Sequence, residues 1–592
     1  MLTAPFVLLD DARPGGAGAR LYADPVEIVV AERADAVAPA LERLRAATRG
    51  GLHAAGYLTY ESGAALMPRT PAMPAADGPL LWFGLFRDYR AMDRNAVAAL
   101  LPDPAGARAT APVPRIERAA YDSALARVLE LIRAGDIYQA NLTLRADVAF
   151  AGDPLALYAR LRRSSAAGYG ALVATGEGHW LSLSPELFFA LEGDALTCRP
   201  MKGTAARGDT PDEDARRIAA LGADAKQRAE NLMIVDLMRN DLSRVAAAGS
   251  VAVPALFAVE TYPTVHQMTS TVTARLAEGR DAVDVLAALF PCGSITGAPK
   301  QRSMEVIGGV EGDGRGVYTG AIGRLDADGD AAFNVAIRTL AIPAGAAVAT
   351  LGLGSGIVAD SRADEEWAEV LAKGAFVTAG QAPLDLIETM AFDPEEGLPL
   401  LERHLARMTA SAAALGFRFD RHAARNELQA ATFRLRDAAR IRLLLAQGGA
   451  IAIEVAPLPA ALAEPARVAV VPLPVDPADF RLRHKTSDRG FYDAARRAAG
   501  TDEVLFVRPD GWLTEGSFTS LFVRQADGVL ATPPATLGLL PGVLRSELLA
   551  DGRAIERNLS PGDLGGTFFV GNALRGLIPA VVAIAKAEPL PL

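Results

Sequence analysis

The chain has 592 residues, of which 50% are hydrophobic, 22% charged and 6% aromatic. That length exceeds what one core sustains, so two or more domains are expected, and the chain is too apolar to be disordered. Sixty basic against seventy acidic residues leave a net charge of −10, which disfavours nucleic acid or an anionic membrane as partner. Two cysteines, Cys198 and Cys292, exclude a disulfide scaffold and a cysteine-built zinc site and suit a reducing compartment. The N-terminal MLTAPFVLLDDARPGG has no basic region and only a short apolar run, Phe6–Leu9, so it does not read as a signal peptide. Thr339–Ala359 carries no charge but contains Pro343, Gly345, Gly352, Gly354 and Gly356. It reads as strand, turn and glycine loop rather than a membrane helix. The expectation is a cytoplasmic protein.

In chain order, apolar runs at Phe6–Leu9, Ile28–Val30 and Leu80–Phe86 alternate with a helical stretch, Ala36–Arg49. The Pro/Ala-rich segment Leu101–Pro114 reads as a linker or surface loop. From Ile116 to Phe376 helical patterns at Tyr121–Ala134, Pro211–Val245, Val283–Phe290 and Ala363–Thr378 sit among strand-like runs such as Trp180–Ala190 and Ala332–Ile342. Gly380-Gln-Ala-Pro383 marks a second boundary. The remainder restarts with strand, helix Leu401–Leu415 and strand, and Ala456–Pro477 joins two lobes. There is no Gly-Lys dipeptide, hence no phosphate loop of the Walker type, and GLGSG at 352–356 is not a dinucleotide fingerprint.

Only six of the basic residues are lysine: Lys202, Lys226, Lys300, Lys373, Lys485 and Lys586. Where arginine is the default cation, a lysine is either a chance survivor or a place that needs an amine able to lose its proton. Glu366 and Glu369 lie three apart on one helix face, and Glu230 lies on another helix. Carboxylates from two helices suit Mg²⁺ that also binds substrate oxygens; Glu-x-x-Glu alone reads first as an ordinary solvated face.

Eight segments alter that balance: YQANLTL (138–144), SPELFF (184–189), CRPMKGTAARG (198–208), AENLMIVDLMRNDL (229–242), GSITGAPK (293–300), YTGAIG (318–323), FNVAIRTL (333–340) and GSGIVADS (354–361). In this order they resemble the chorismate-utilising enzymes, which include anthranilate synthase component I, isochorismate and salicylate synthases, and aminodeoxychorismate synthase component I. The resemblance implies the large chorismate-binding fold and Mg²⁺ held by Glu230, Glu366 and Glu369. It places Arg338, Lys373, Tyr318, Ser294, Gly354 and Gly356 at substrate-binding positions. In the P-x-[KA]-G-T motif the aminodeoxychorismate enzymes carry lysine where the others carry alanine, and here the residue is Lys202. That amine is expected to add at C2 of chorismate and expel the C4 hydroxyl; ammonia then adds at C4 and expels the lysine. Glu186 matches the general acid for the leaving hydroxyl. Two positions depart from the pattern: Gln227 stands where a second metal-side glutamate is common, and Gln267 where the family has histidine. Neither cysteine reads as a glutaminase nucleophile, so ammonia is expected from solution or from a separate glutamine amidotransferase subunit.

The last 210 or so residues, through LIETM (386–390), LLERHLARMTASAAALGF (400–417), RHKTSDRGFYDAAR (483–496), DEVLFVRPDGWLTEGSFTSLFV (502–523), TPPATLGLLPGVLR (532–545) and FVGNALRGLIPA (569–580), resemble fold-type IV pyridoxal-phosphate enzymes. Lys485 then matches the Schiff-base lysine, its pKa expected to be depressed by Arg483 and His484. Glu515 matches the partner of the pyridine nitrogen and Arg407 the phosphate-binding arginine; Val543, Leu544 and Asn572 complete the phosphate cup. The front of this part is shorter than in that family, so either the preceding domain supplies an edge or the lobe is trimmed. A homodimer through this part is a further expectation.

Together these readings give an α/β (α+β) chain. Residues 1–380 form a chorismate-binding domain (1–114 an N-terminal part, 115–380 the catalytic core), and 381–592 a fold-type IV pyridoxal-phosphate domain. The expected reaction sequence is amination of chorismate to 4-amino-4-deoxychorismate, then cofactor-dependent loss of pyruvate to give 4-aminobenzoate, a folate precursor. The alternative is an anthranilate synthase-like enzyme fused to a branched-chain or D-amino-acid aminotransferase.

Overall fold

The structure, a computed structural model, describes residues 2–583 except 68–69, 71–72 and 263–264. Two compact units result. The first comprises Met1–Leu101, Ala111–Val148 and Tyr158–Gly380; the second comprises Pro102–Thr110, Ala149–Leu157 and Gln381–Leu592.

The first unit is built on two large sheets. One runs in the order Gly297–Ala298, Gln139–Ala151, Val348–Ile357, Thr339–Pro343, Gly178–Ser184, Tyr169–Ala174, Phe6–Asp11, Gly18–Ala23, Arg90–Met92. The other runs Met201–Ala206, Val265–Arg275, Ala195–Arg199, Leu187–Glu192, Ala331–Val335, Ala321–Leu325, His53–Leu58, Leu81–Phe86, Glu27–Ala31. Their apolar faces meet in a core containing Val7, Ala171 and Val173 from the first and Ala55, Tyr57, Trp82 and Ile322 from the second. The Tyr57 ring lies 4.8 Å from that of Trp180, so aromatic bulk helps fill the space between the layers.

In the second unit a three-stranded sheet, Leu386–Phe392, Ala439–Leu445 and Ile451–Pro457, buries Leu386, Met390, Ile441 and Leu443 against Leu405, Met408 and Leu428 of two helices, Leu401–Leu415 and Arg421–Thr432. An eight-stranded sheet forms a second core around Val468, Leu505, Leu521 and Val570.

Several expected elements differ. The segment read as a free linker is partly structured: Arg108 and Ala109 are buried, and Arg108 donates to Gln447 Oε1 at 3.2 Å and to the Ala382 carbonyl at 3.0 Å. Within the second unit, chain drawn from upstream therefore packs where its front is short. The long helix over 211–245 is two helices, Pro211–Ala223 and Ala225–Ser243. Asp224 between them is extended and caps the second by accepting from Gln227 N at 3.0 Å. The run over 332–342 breaks at Arg338, whose φ of +51° no strand tolerates. The glycines read as a loop lie in the strand Val348–Ile357. They are needed for close approach: a Cβ on Gly352 would enter the Tyr318 ring, and one on Gly354 would stand 2.8 Å from the Leu142 carbonyl oxygen.

Candidate active sites

Lys202 sits on the edge strand Met201–Ala206, whose pairing with Val265–Arg275 slips between Met201 and Thr204. A bulge at this point turns a side chain away from the regular alternation. Desolvation pulls the Lys202 amine below its ordinary range, and Lys373 pushes the same way; Glu230, Glu186 and Glu369 oppose them. The opposing carboxylates only partly offset burial, which favours a neutral amine. A Cβ on Gly356 would meet Gln139 Nε2 at 2.6 Å and Lys202 Nζ at 3.1 Å, so the glycine clears space at which both nitrogens converge.

Glu186 is 3% exposed. Burial lifts its carboxyl to about 7, against the pull of Ser294 and Lys202. A carboxyl raised this far holds a proton near neutrality and can release it to a leaving group. Ser294, expected at a substrate-binding position, donates from Oγ to Glu186 Oε1 at 2.7 Å and also lies 3.3 Å from Cys292 Sγ. Both cysteines are buried and free.

Of the other predicted residues, Lys373 donates to the Gly354 carbonyl at 2.9 Å and pairs with Glu369 at 2.7 Å. Glu366 is buried and accepts from Ser361 Oγ at 2.6 Å. Burial raises the Glu230 carboxyl, with Glu369 and Asp360 adding to the effect and Lys202 and Lys226 countering it. Arg338 lines a narrow crevice with Met201, Pro185 and Gln267, and burial lowers its guanidinium's pKa. Among the described residues no group of three His, Cys, Asp or Glu side chains is arranged to hold a metal ion. The donor set nevertheless suits a hard divalent cation, being carboxylates from two helices whose negative charge Lys373 and Lys226 offset.

Two residues of this site escaped sequence reasoning. Gln139 is 1% exposed, and its carboxamide oxygen has no partner. Arg315 is buried and donates to the Ile295 carbonyl at 3.0 Å and to Glu311 at 2.7 and 2.8 Å, tying down the loop that carries Ser294. Gln139 lies inside the YQANLTL motif, whereas no local pattern marks Arg315. A cavity of about 1280 Å³ in this unit is lined by other residues, among them Asp11, Arg13, Tyr169 and Asn334.

The second unit holds a cavity of about 350 Å³ whose lining brings together Lys485, Glu515, Arg407, Val543, Leu544 and Asn572. Burial lowers the Lys485 amine to about 7; the cations that act on it most are Arg407, Arg489 and Arg442, rather than the flanking Arg483 and His484. His484 is itself held at about 4, by burial first and Arg483 second, and is therefore uncharged at neutral pH. Glu515 is lifted to about 7 by burial; it accepts from Tyr492 Oη at 2.7 Å and from Leu540 N at 3.2 Å. Asn572 Nδ2 donates to the Phe518 carbonyl at 3.0 Å.

Arg407 is anchored by Glu388, donating from Nε at 2.8 Å and from Nη2 at 2.6 Å, and by the Pro541 carbonyl at 3.1 Å. Glu388 also contacts His404 Nδ1 at 2.6 Å. Burial opposes its ionisation, but Arg407 and His404 prevail and hold the carboxyl at about 2. Glu503, fully buried, accepts from Ser517 N at 2.9 Å and Thr519 Oγ1 at 2.8 Å, fixing the loop under the cavity. Neither Glu388 nor Glu503 was expected. The cavity fits pyridoxal 5′-phosphate: a desolvated lysine, a carboxylate, an anchored arginine and the start of the helix Val543–Ala550 converge. The buried His404 Nε2 on its wall has no partner.

Each site thus brings a desolvated lysine amine together with a buried carboxyl whose pKa is raised to about 7. Residues 4–379 match the family of chorismate binding enzymes, and 385–582 match class IV amino-transferases. The chain belongs to the chorismate-binding enzyme family. It is 44% identical over 256 residues to aminodeoxychorismate synthase component 1 of Escherichia coli strain K12, covering 43% of this chain and 56% of that protein. It is 42% identical over 266 residues to anthranilate synthase component 1 of Streptomyces coelicolor, covering 45% and 52%. The chain thus spans little more than half of the relatives it matches. Its fold is similar to anthranilate synthase component I from Streptococcus pneumoniae TIGR4, with a TM-score of 0.53 and 25% identity over 64% of this chain and 93% of that one. No helix among the described residues is long and apolar enough to cross a membrane.

Proposed function

We propose that the chain makes 4-aminobenzoate from chorismate in two steps, amination at C4 in the first unit and elimination of pyruvate in the second. The observation that carries the reading is Lys202, a desolvated amine at the position where the anthranilate-type enzymes carry alanine, interacting with Glu186, whose carboxyl burial lifts to about 7. The Lys202 amine adds at C2 of the ring, both conjugated double bonds shift, and the C4 hydroxyl leaves as water with the Glu186 proton. Ammonia then adds at C4, both double bonds shift back, and Lys202 leaves from C2. Arg338 and Lys373 supply cationic contacts for the substrate's carboxylates. Mg²⁺ would be held by Glu230, Glu366 and Glu369 and would neutralise substrate carboxylate charge there. The ammonia is supplied by a separate glutamine amidotransferase subunit or by free ammonium.

In the second unit Lys485, Glu515, Arg407, Val543, Leu544 and Asn572 would hold pyridoxal 5′-phosphate. When bound, that cofactor supplies an aldehyde that captures the C4 amine and a ring that accepts the electrons of the broken C–H bond. Lys485, whose pKa burial lowers to about 7, takes the C4 proton in its neutral form. Pyruvate departs as the ring becomes aromatic. Arg440, Arg489, Arg496 and Arg575 on the cavity wall suit a substrate with two carboxylates. We place the protein in the cytoplasm, as a homodimer through the second unit on the strength of its likeness to fold-type IV enzymes.

The 42% identity to an anthranilate synthase component favours one other reading, an anthranilate-forming first unit joined to an aminotransferase. Incubation with chorismate, ammonium, Mg²⁺ and pyridoxal 5′-phosphate separates the two by product, 4- against 2-aminobenzoate. Lys202→Ala is expected to block amination, and Lys485→Ala to let the aminated intermediate accumulate. 2-Aminobenzoate from the wild type, or unimpaired amination by Lys202→Ala, overturns the proposal.

A further inference from the structure

The two departures noted in the sequence, Gln227 and Gln267, converge on one peptide. Along the paired strands Met201 faces Thr269 and Thr204 faces Gln267, so three steps on one strand are matched by two on the other. The surplus falls on Lys202 and Gly203. Such a bulge bends the strand and takes a peptide group off the ladder, and Gly203 carries the positive φ, +90°, that it requires.

The displaced carbonyl is not left unpaired. Gln267 Nε2 donates to the Gly203 oxygen at 2.9 Å, while Gln267 Oε1 accepts from Thr204 Oγ1 at 2.9 Å. The amide therefore bridges both residues that follow Lys202, using a donor and an acceptor that no carboxylate combines at neutral pH. Gln227, in the first turn of Ala225–Ser243, places Oε1 2.9 Å and its own Cβ 3.3 Å from where a Gly203 Cβ would stand. Gly203 is bonded through its carbonyl and walled at its α-carbon.

We infer that Gln267 and Gln227 are positioning residues that lock the Lys202 bulge, so that the amine meets the substrate carbon from one fixed direction. This rests on the covalent role proposed for Lys202. Neither glutamine exchanges a proton or an electron pair with substrate; both act through the backbone that carries the lysine. Loosening the bulge would leave substrate binding intact and spoil the approach, and a displacement of about 1 Å at a reacting atom is worth about 100-fold in rate.

The test uses the full chain with bound Mg²⁺, chorismate and ammonium. Gln267→Glu keeps the acceptor for Thr204 and removes the donor to Gly203. It is expected to lower kcat for amination by about 10- to 100-fold with KM for chorismate within about threefold. The rate at which the Lys202–substrate adduct appears by intact mass without ammonia should fall in parallel. Gln227→Ala should show the same split, more weakly. The elimination rate of the second unit should not change, which controls for folding. If Gln267→Glu proves unstable, Gln267→Asn, one methylene short of Gly203, is read in the same way. Wild-type kcat and adduct rate in these variants, or a rise in KM alone, overturn the inference. Full amination by Lys202→Ala would instead overturn the reading on which it rests.

Discussion

Ser294 Oγ donates a hydrogen bond to Glu186 Oε1 at 2.7 Å, so a residue expected at a substrate-binding position also tunes the residue expected to protonate the leaving hydroxyl. A hydrogen bond to the ionised form lowers a carboxyl pKa; here it opposes burial, and the balance stands at about 7. Glu186 works as an acid while protonated, so adduct formation without ammonia should decline as pH rises through about 7. Ser294→Ala removes the lowering contribution, and the decline should move to higher pH. Glu186→Gln keeps the shape but cannot release a proton, and should lower the adduct rate by about 10²- to 10⁴-fold. An unshifted limb in Ser294→Ala would separate the two residues functionally.

The Lys485 amine, lowered to about 7 mainly by burial, is neutral above that pH and protonated below it. Only the neutral form attacks an aldehyde. The rate at which the apoprotein takes up pyridoxal 5′-phosphate, followed by visible absorbance, should therefore rise through about pH 7 and level off, rather than climb toward pH 10 as an ordinary lysine would. Borohydride should then fix a pyridoxyl group on Lys485.

Glu388 joins His404 and Arg407 in one buried cluster. Its carboxyl ionises at about 2 against an ordinary 4.5, so the stability it lends is fully present above pH 4.5 and is lost as pH falls toward 2. Removing one member of a buried pair strands the other, at about 3–5 kcal/mol. Glu388→Ala should destabilise the second unit by that order in urea and weaken cofactor retention, because Arg407 loses its anchor. A variant with wild-type stability and cofactor affinity would contradict this.

How far the sequence disclosed this arrangement depended on sequence distance. Lys485, Glu515 and Arg407 lie in short motifs whose chemistry is local, and they line one cavity. The Lys202 neighbourhood was legible as a set of motifs, but the bulge at Gly203 was not, since register belongs to two strands at once. Arg315 reaches Ile295 and Asn141 through packing that no periodicity announces. The segment Pro102–Thr110 looked like a linker because its composition is that of one; its place in the second unit comes from Arg108 bonding Gln447, 339 positions away. Helix ends were readable where a cap exists, as at Asp224.

Arg489 tests the specificity of the second unit. It lines the cavity, lies 4.3 Å above the Tyr492 ring, and leaves a buried Nη1 without a partner. An unpaired buried N–H is costly unless something completes it; a substrate carboxylate would do so with a charge-assisted bond. A hydrogen bond to a charged group contributes about 1.5–3 kcal/mol. Arg489→Gln should therefore raise KM for the aminated dicarboxylate by about 10- to 100-fold, leaving cofactor absorbance and affinity as in the wild type. Arg489→Lys should recover little, because an ammonium cannot offer two parallel N–H groups. If the substitution releases the cofactor instead, Arg489 belongs to the cofactor cradle and the substrate carboxylate lies elsewhere on the arginine wall.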